Sequence, residues 1–187
     1  MVRDTGEVLM KSSCRLTIIG LVCIILSNIS LAQSTNKPAG ELRKLDYFVG
    51  TWVVEGEFKD GVMGPSGKIT GTDRYEWMPG GYFLALHSDF KSPEEDGAIL
   101  AIVGYDKQND IYTYYAFSSK GDVQQAKGTL HSDTWIWIGH ARLGGKDTQS
   151  RFLVKMLNPT CYSFQFVTSE DGISWTTVLE GKANKVK

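Results

Sequence analysis

From residue 51 onward, turn residues cut the chain into short runs, and within the runs apolar and polar side chains alternate. The first run shows the pattern. Trp52, Val54, Gly56 and Phe58 alternate with Thr51, Val53, Glu55 and Glu57, the period of a strand with one buried face. The interruptions include Pro79-Gly80-Gly81, Lys120-Gly121-Asp122, Ser132-Asp133, Asn158-Pro159 and Glu170-Asp171-Gly172, all turn chemistry. They delimit ten expected strands, at about 51–59, 68–77, 82–90, 98–105, 111–118, 123–131, 134–143, 148–157, 161–168 and 173–182. No long helical pattern lies between them, which excludes βαβ folds. Strands that follow one another through tight turns form an antiparallel up-and-down meander. Ten of them are expected to close, since closure pairs the edges and leaves room for a small ligand. A flat sheet or a two-sheet sandwich is the competing architecture. Residues 98–105 are apolar on both faces and are expected to form a well-covered strand. Ahead of the first strand, Leu42, Leu45 and Phe48 recur at helical spacing. Residues 41–48 therefore read as a short helix plugging one end.

The N-terminal segment has a different character. Residues 16–31 are mostly apolar, follow Lys11 and Arg15, and end in Ser30-Leu31-Ala32. That is the pattern of a secretory signal peptide cut after Ala32. The apolar run is broken by Ser27, Asn28 and Ser30 and is shorter than the roughly 20 residues of a spanning helix. No membrane span is therefore expected after cleavage. Asp4 and Glu7 are unusual ahead of such a run, which makes Met10 a candidate start. The expected organisation is a signal peptide at 1–32, a polar linker at 33–40 and one barrel domain at 41–187, exported to the periplasm or the cell exterior. Cleavage leaves Cys161 as the single cysteine, so no internal disulfide can form. It also leaves 17 basic and 19 acidic side chains. With no basic cluster, nothing draws the chain to nucleic acid.

Several motifs recur along the barrel domain in one order: Gly50-Thr51-Trp52 with Glu55-Gly56, then Tyr75-Glu76-Trp77 with Gly80-Gly81-Tyr82, then Gly104-Tyr105-Asp106, and finally Ser169-Glu170-Asp171-Gly172 with Trp175. Together they resemble the bacterial domain of unknown function 1579 family, a group of lipocalin-like proteins that are often exported. The resemblance implies a calycin-type barrel with no assigned activity. Nitrobindin-like haem barrels are more distantly similar, sharing the Gly-Thr-Trp opening and the ten-strand layout.

Few residues suggest chemistry. The histidines are His87, His131 and His140. None lies in the late strands, where the haem barrels carry their proximal ligand, so no cofactor is expected and haem remains an alternative. No His/Cys/Asp/Glu spacing suits zinc, and no Gly-x-Ser-x-Gly marks a nucleophile. Glu55 and Glu57 share a strand face, the ordinary outcome of a solvated surface. Trp52 reads as a structural cap over the barrel end, with Lys182 or Lys185 across it.

Asp73 is the oddity, a carboxylate on the apolar side of its strand. A buried carboxylate needs a partner, and Arg151 or Arg74 could supply one. Otherwise Gly71 marks a bulge that carries Asp73 to the rim. The ring-bearing residues Tyr75, Trp77, Tyr112, Tyr114, Tyr115, Phe117, Trp135, Trp137, Tyr162, Phe164 and Phe166 are the other large feature, readable as a ring-lined pocket. Asp73, Tyr75, Trp77, Tyr115, Trp135, Trp137, Phe164 and Phe166 are the candidates to line a cavity. The expected function is non-catalytic binding of a small hydrophobic ligand there. A haem-binding or enzymatic barrel is one alternative, and an envelope protein-interaction module with a filled core is another. The oligomeric state is left open.

Overall fold

The structure is a computed structural model, and it describes residues 40–61, 64–93 and 95–186. The expected signal peptide and most of the linker lie outside the described residues. A short 3₁₀ helix, Gly40–Tyr47, precedes ten strands: β1 (Gly50–Phe58), β2 (Gly67–Trp77), β3 (Phe83–Lys91), β4 (Asp96–Asp106), β5 (Ile111–Ser118), β6 (Val123–His131), β7 (Thr134–Leu143), β8 (Lys146–Asn158), β9 (Cys161–Ser169) and β10 (Thr176–Lys185). Every strand pairs antiparallel with its sequence neighbours, and β1 pairs with β10, so the sheet closes into a barrel. Closure satisfies the backbone groups that an open edge would leave unpaired.

Most strand boundaries fall within two residues of those expected. The exception is β10, which starts at Thr176. The loop before it is held by the Asp171 carboxylate, which accepts from the amides of Ile173 and Ser174 and from the Ser169 hydroxyl, at 2.7–2.9 Å. Those bonds draw the Asp171 pKa far below the carboxylate range, because they favour the ionised form. They also keep 173–175 out of the sheet. A second departure concerns β4. Its outer face is not covered: Leu100 is 42% exposed there, because no described element packs against the outside of the barrel at that point.

The inner face is divided along the barrel axis. Toward the helix it is filled by large rings. Trp52, Leu84, Val103, Tyr112, Trp135 and Tyr162 form one cluster with Leu42, Leu45 and Phe48. The Trp52 indole is fully buried, and its Nε1 donates to the Phe48 carbonyl at 2.7 Å. Lys185 lies with its ammonium 4.9 Å from the ring and donates to the Tyr47 carbonyl at 3.1 Å. These are the contacts of a structural cap, and they bring one of the two lysines anticipated for it.

Glycines make room for rings that lie flat on the inner wall. Gly56 and Gly181 face each other across the β1–β10 ladder. A Cβ on Gly181 would meet the Phe164 ring at 2.5 Å and the Glu55 carbonyl oxygen at 2.2 Å. Likewise a Cβ on Gly128 would stand 2.5 Å from the Trp137 ring. The rings occupy the space that side chains would otherwise fill.

Candidate functional site

Register decides which side chains enter the barrel. Asp73 pairs with Trp52 on β1 and with Ser88 on β3. Both ladders run without a shift past Gly71, so no bulge carries Asp73 to the rim. Its carboxylate faces inward with Gly71, Tyr75 and Trp77. Neither arginine reaches it. Arg74, one residue on, points outward beside Glu76. Arg151 also lies on the outside, its guanidinium stacked 3.7 Å from the Trp175 ring centroid. The expected ion pair is therefore corrected: alternation along a strand sends Arg74 to the other face, and Arg151 finds an aromatic partner outside.

Within the barrel, the Ser88 hydroxyl is the polar side chain opposite Asp73 that favours its charged form. Burial raises its pKa, and Ser88 only partly offsets that. Three tyrosines converge on the same region from three strands: Tyr75 on β2, Tyr114 on β5 and Tyr162 on β9. Burial drives the pKa of each up, that of Tyr114 to about 12, and the nearby Asp73 charge adds to the shift in all three. The Tyr75 and Tyr162 hydroxyls lie close enough to influence each other's titration. The result is one acid and a set of neutral phenols, surrounded by rings.

Those rings include most of the residues expected to line a cavity. Trp135 and Trp137 face inward and stack with centroids 6.0 Å apart at an interplanar angle of 8°. Phe164 and Phe166 also face inward, and Phe152 lies between them at 5.7 and 6.5 Å. Trp77 faces inward too, but its Nε1 donates to Asp46 of the helix at 2.8 Å, which fixes it to the helix end. Tyr115 is the correction. It points outward and is 45% exposed. Tyr112, Tyr114 and Ala116 take the inner positions of β5, so the residue between Tyr114 and Ala116 must face out.

Space remains beside these groups. Every inward-facing residue of β2, from Gly67 to Trp77, keeps accessible surface, although hydrogen-bonded strands flank it on both sides. Tyr114, Phe152 and Phe166 do the same on other strands. At the end away from the helix the inner residues of β5, β7 and β8 are small or polar, among them Ser118, Gly139, Ala141, Thr148 and Ser150, whereas β1–β4 bring Phe58, Ile69, Phe90 and Ile99 to the same end. A separate concavity of about 290 Å³ lies over β3–β5, between His87, Asp89, Leu100 and Phe117. It is an open dent in the outer wall and does not belong to the lumen.

Catalytic groups are sparse there. His87, His131 and His140 are all exposed, so a haem held by histidine has no ligand in the lumen. Cys161 alternates with the inward Tyr162 and faces away. The described residues include no cluster of three His, Cys, Asp or Glu suited to a metal ion. Ser88 and Phe152 are the lumen residues that both the candidates and the ring set lacked, and Tyr114 and Tyr162 stood only in the ring set. Ser88 stands opposite Asp73 and could be located only from the register of the β2–β3 hairpin.

Fold and lumen together define the class: a closed, ten-stranded, lipocalin-like barrel. The chain belongs to the family described as protein of unknown function (DUF1579), whose model matches residues 37–185. Among solved structures it is similar to the S-type phycobiliprotein lyase CpeS from Guillardia theta, with TM-score 0.56, 7% identity, and coverage of 81% of this chain and 95% of that one. It is also similar to Rv2717c from M. tuberculosis, with TM-score 0.55, 9% identity, and coverage of 80% and 99%. At such identities the likeness concerns the fold. A search among curated proteins finds no match.

Proposed function

We propose that this chain is an exported binding protein that holds a small hydrophobic ligand in its lumen without transforming it. The 3₁₀ helix plugs one end, and the ligand enters at the other. The observation that carries this reading is that every inward-facing position of β2, Asp73 among them, is half-buried rather than fully buried. Ligand pockets are mostly apolar, with a few placed polar groups that set orientation. Here the apolar walls are Trp137, Phe152, Phe164 and Phe166, and the polar groups are Asp73, Ser88 and the tyrosyl hydroxyls. Transformation is disfavoured because, among the described residues, the lumen brings together no nucleophile, base and orienting third group: it holds one carboxylate and no histidine or cysteine. Export rests on the N-terminal pattern and would show as a mature protein beginning at Gln33.

A second reading, a protein-interaction module, draws on the outer wall. There the exposed Leu100, Phe117 and Val123 are neighbours in register.

The two readings separate with an apolar fluorescent probe, N-phenyl-1-naphthylamine. Lumen binding gives a saturable fluorescence rise that Ala141→Trp, at the far mouth, abolishes and Tyr115→Ala, on the outside, leaves intact. No binding, or loss with Tyr115→Ala alone, would overturn it.

A further inference from the structure

Asp73 is the one acid among the described residues whose register turns it into the barrel, and it has no ion-pair partner among them. The groups facing it from each neighbouring element are Trp52 on β1, Tyr75 on its own strand, Ser88 on β3, Tyr114 on β5 and Tyr162 on β9. None is cationic, and among the described residues only the Ser88 hydroxyl favours its charge. A structural role for a carboxylate at this depth would call for an arginine or several amides. The chain supplies neither, and its nearest arginine by sequence is turned outward. An acid left without its counter-charge beside an open, ring-lined space is a polar anchor awaiting a partner from outside.

We propose that the ligand is a flat, apolar amine whose protonated nitrogen pairs with Asp73 while its body lies against the Trp137 and Phe152 rings. The reading rests on lumen binding as proposed above and names the ligand's charge. A cation there gains a charge-assisted hydrogen bond from the carboxylate, and the surrounding tyrosine and tryptophan faces favour positive charge. An anion would meet Asp73 and aromatic faces, all of which repel it.

The test uses three probes of one shape: 2-naphthylmethylamine, 2-naphthylmethanol and 2-naphthylacetate. Each is titrated calorimetrically into wild type and Asp73→Asn at neutral pH. The expected order is amine first, with an advantage over the alcohol of about tenfold or more, the scale of a charge-assisted bond. In Asp73→Asn that advantage disappears. If amine and alcohol bind wild type equally, or the carboxylate binds best, the charge assignment is wrong and the lumen reading stands. If none binds, the lumen reading itself falls. Wild type alone gives an independent readout. Amine affinity should fall with acidification as Asp73 protonates, and alcohol affinity should not. The facing tyrosines remain neutral across that range. An amine affinity independent of pH from 4 to 8 would overturn the proposal.

Discussion

Replacing Asp73 with asparagine should stabilise this barrel at neutral pH, although it removes a charge and a well-placed polar group. The side chain faces the lumen, with the Ser88 hydroxyl opposite it favouring its charge. Burial outweighs that effect, so the folded-state pKa lies above the ordinary 3.8. A raised carboxyl pKa means that the folded protein holds its proton more tightly than the unfolded chain does. Stability from this group is therefore fully present below pH 3.8 and is lost as pH rises through the folded value. Above that value the ionised carboxylate is a net cost. Asparagine keeps the shape and faces the same Ser88 hydroxyl without a charge. Under-satisfied buried polar groups cost about 1–3 kcal/mol in mutational series. Over a domain of this size, 1 kcal/mol moves Tm by about 2–4 °C. The variant should therefore melt about 2–12 °C higher at pH 7. Melting followed by circular dichroism between pH 3.5 and 8 tests this. The two curves should meet at the acid end and separate as pH rises. A variant less stable at pH 7, or a gap that does not change with pH, would refute the reasoning, since either requires a counter-charge or full hydration at Asp73.

Other expectations follow from the packing. Trp52→Phe removes the indole bond to the Phe48 carbonyl and part of the buried ring, and should cost about 2–4 kcal/mol in urea unfolding; probe affinity in the lumen should be unchanged. Gly181→Ala places a methyl 2.2 Å from the Glu55 carbonyl oxygen and 2.5 Å from the Phe164 ring. It should lower Tm far more than Gly144→Ala, whose Cβ meets nothing within 4 Å and pays only for its φ of 56°, about 1–2 kcal/mol. Arg151→Ala breaks the stack on Trp175, both residues half-buried, at a cost of about 0.5–2 kcal/mol. It should leave the pH dependence attributed to Asp73 untouched, because Arg151 lies on the other side of the wall.

The architecture was legible because alternation and turn residues are local signals. Each strand announces its own period, and tight turns leave only a meander. Trp52 was legible as a cap for a similar reason: helix and strand are adjacent in sequence. The lumen was legible in part. Alternation along β7 and β9 put Trp135, Trp137, Phe164 and Phe166 on inner faces, and Asp73 was flagged because it shares a face with Tyr75 and Trp77. Tyr115 was misplaced because β5 carries rings on both faces, so its pattern could not show which set turns inward. Ser88 was missed, and the convergence of Tyr114 and Tyr162 on Asp73 was not legible, because it depends on strands far apart in sequence. The late start of β10 was hidden by a side chain: Asp171 captures the amides that would otherwise extend the strand.

The central claim is that the lumen beside Asp73 holds a ligand. Its most direct test is native mass spectrometry of the protein purified from its own host. The account predicts a noncovalent small-molecule adduct on wild type that is released on denaturation and is absent from Ala141→Trp. A wild-type protein that carries no adduct, or an adduct equally present on Ala141→Trp, would contradict it.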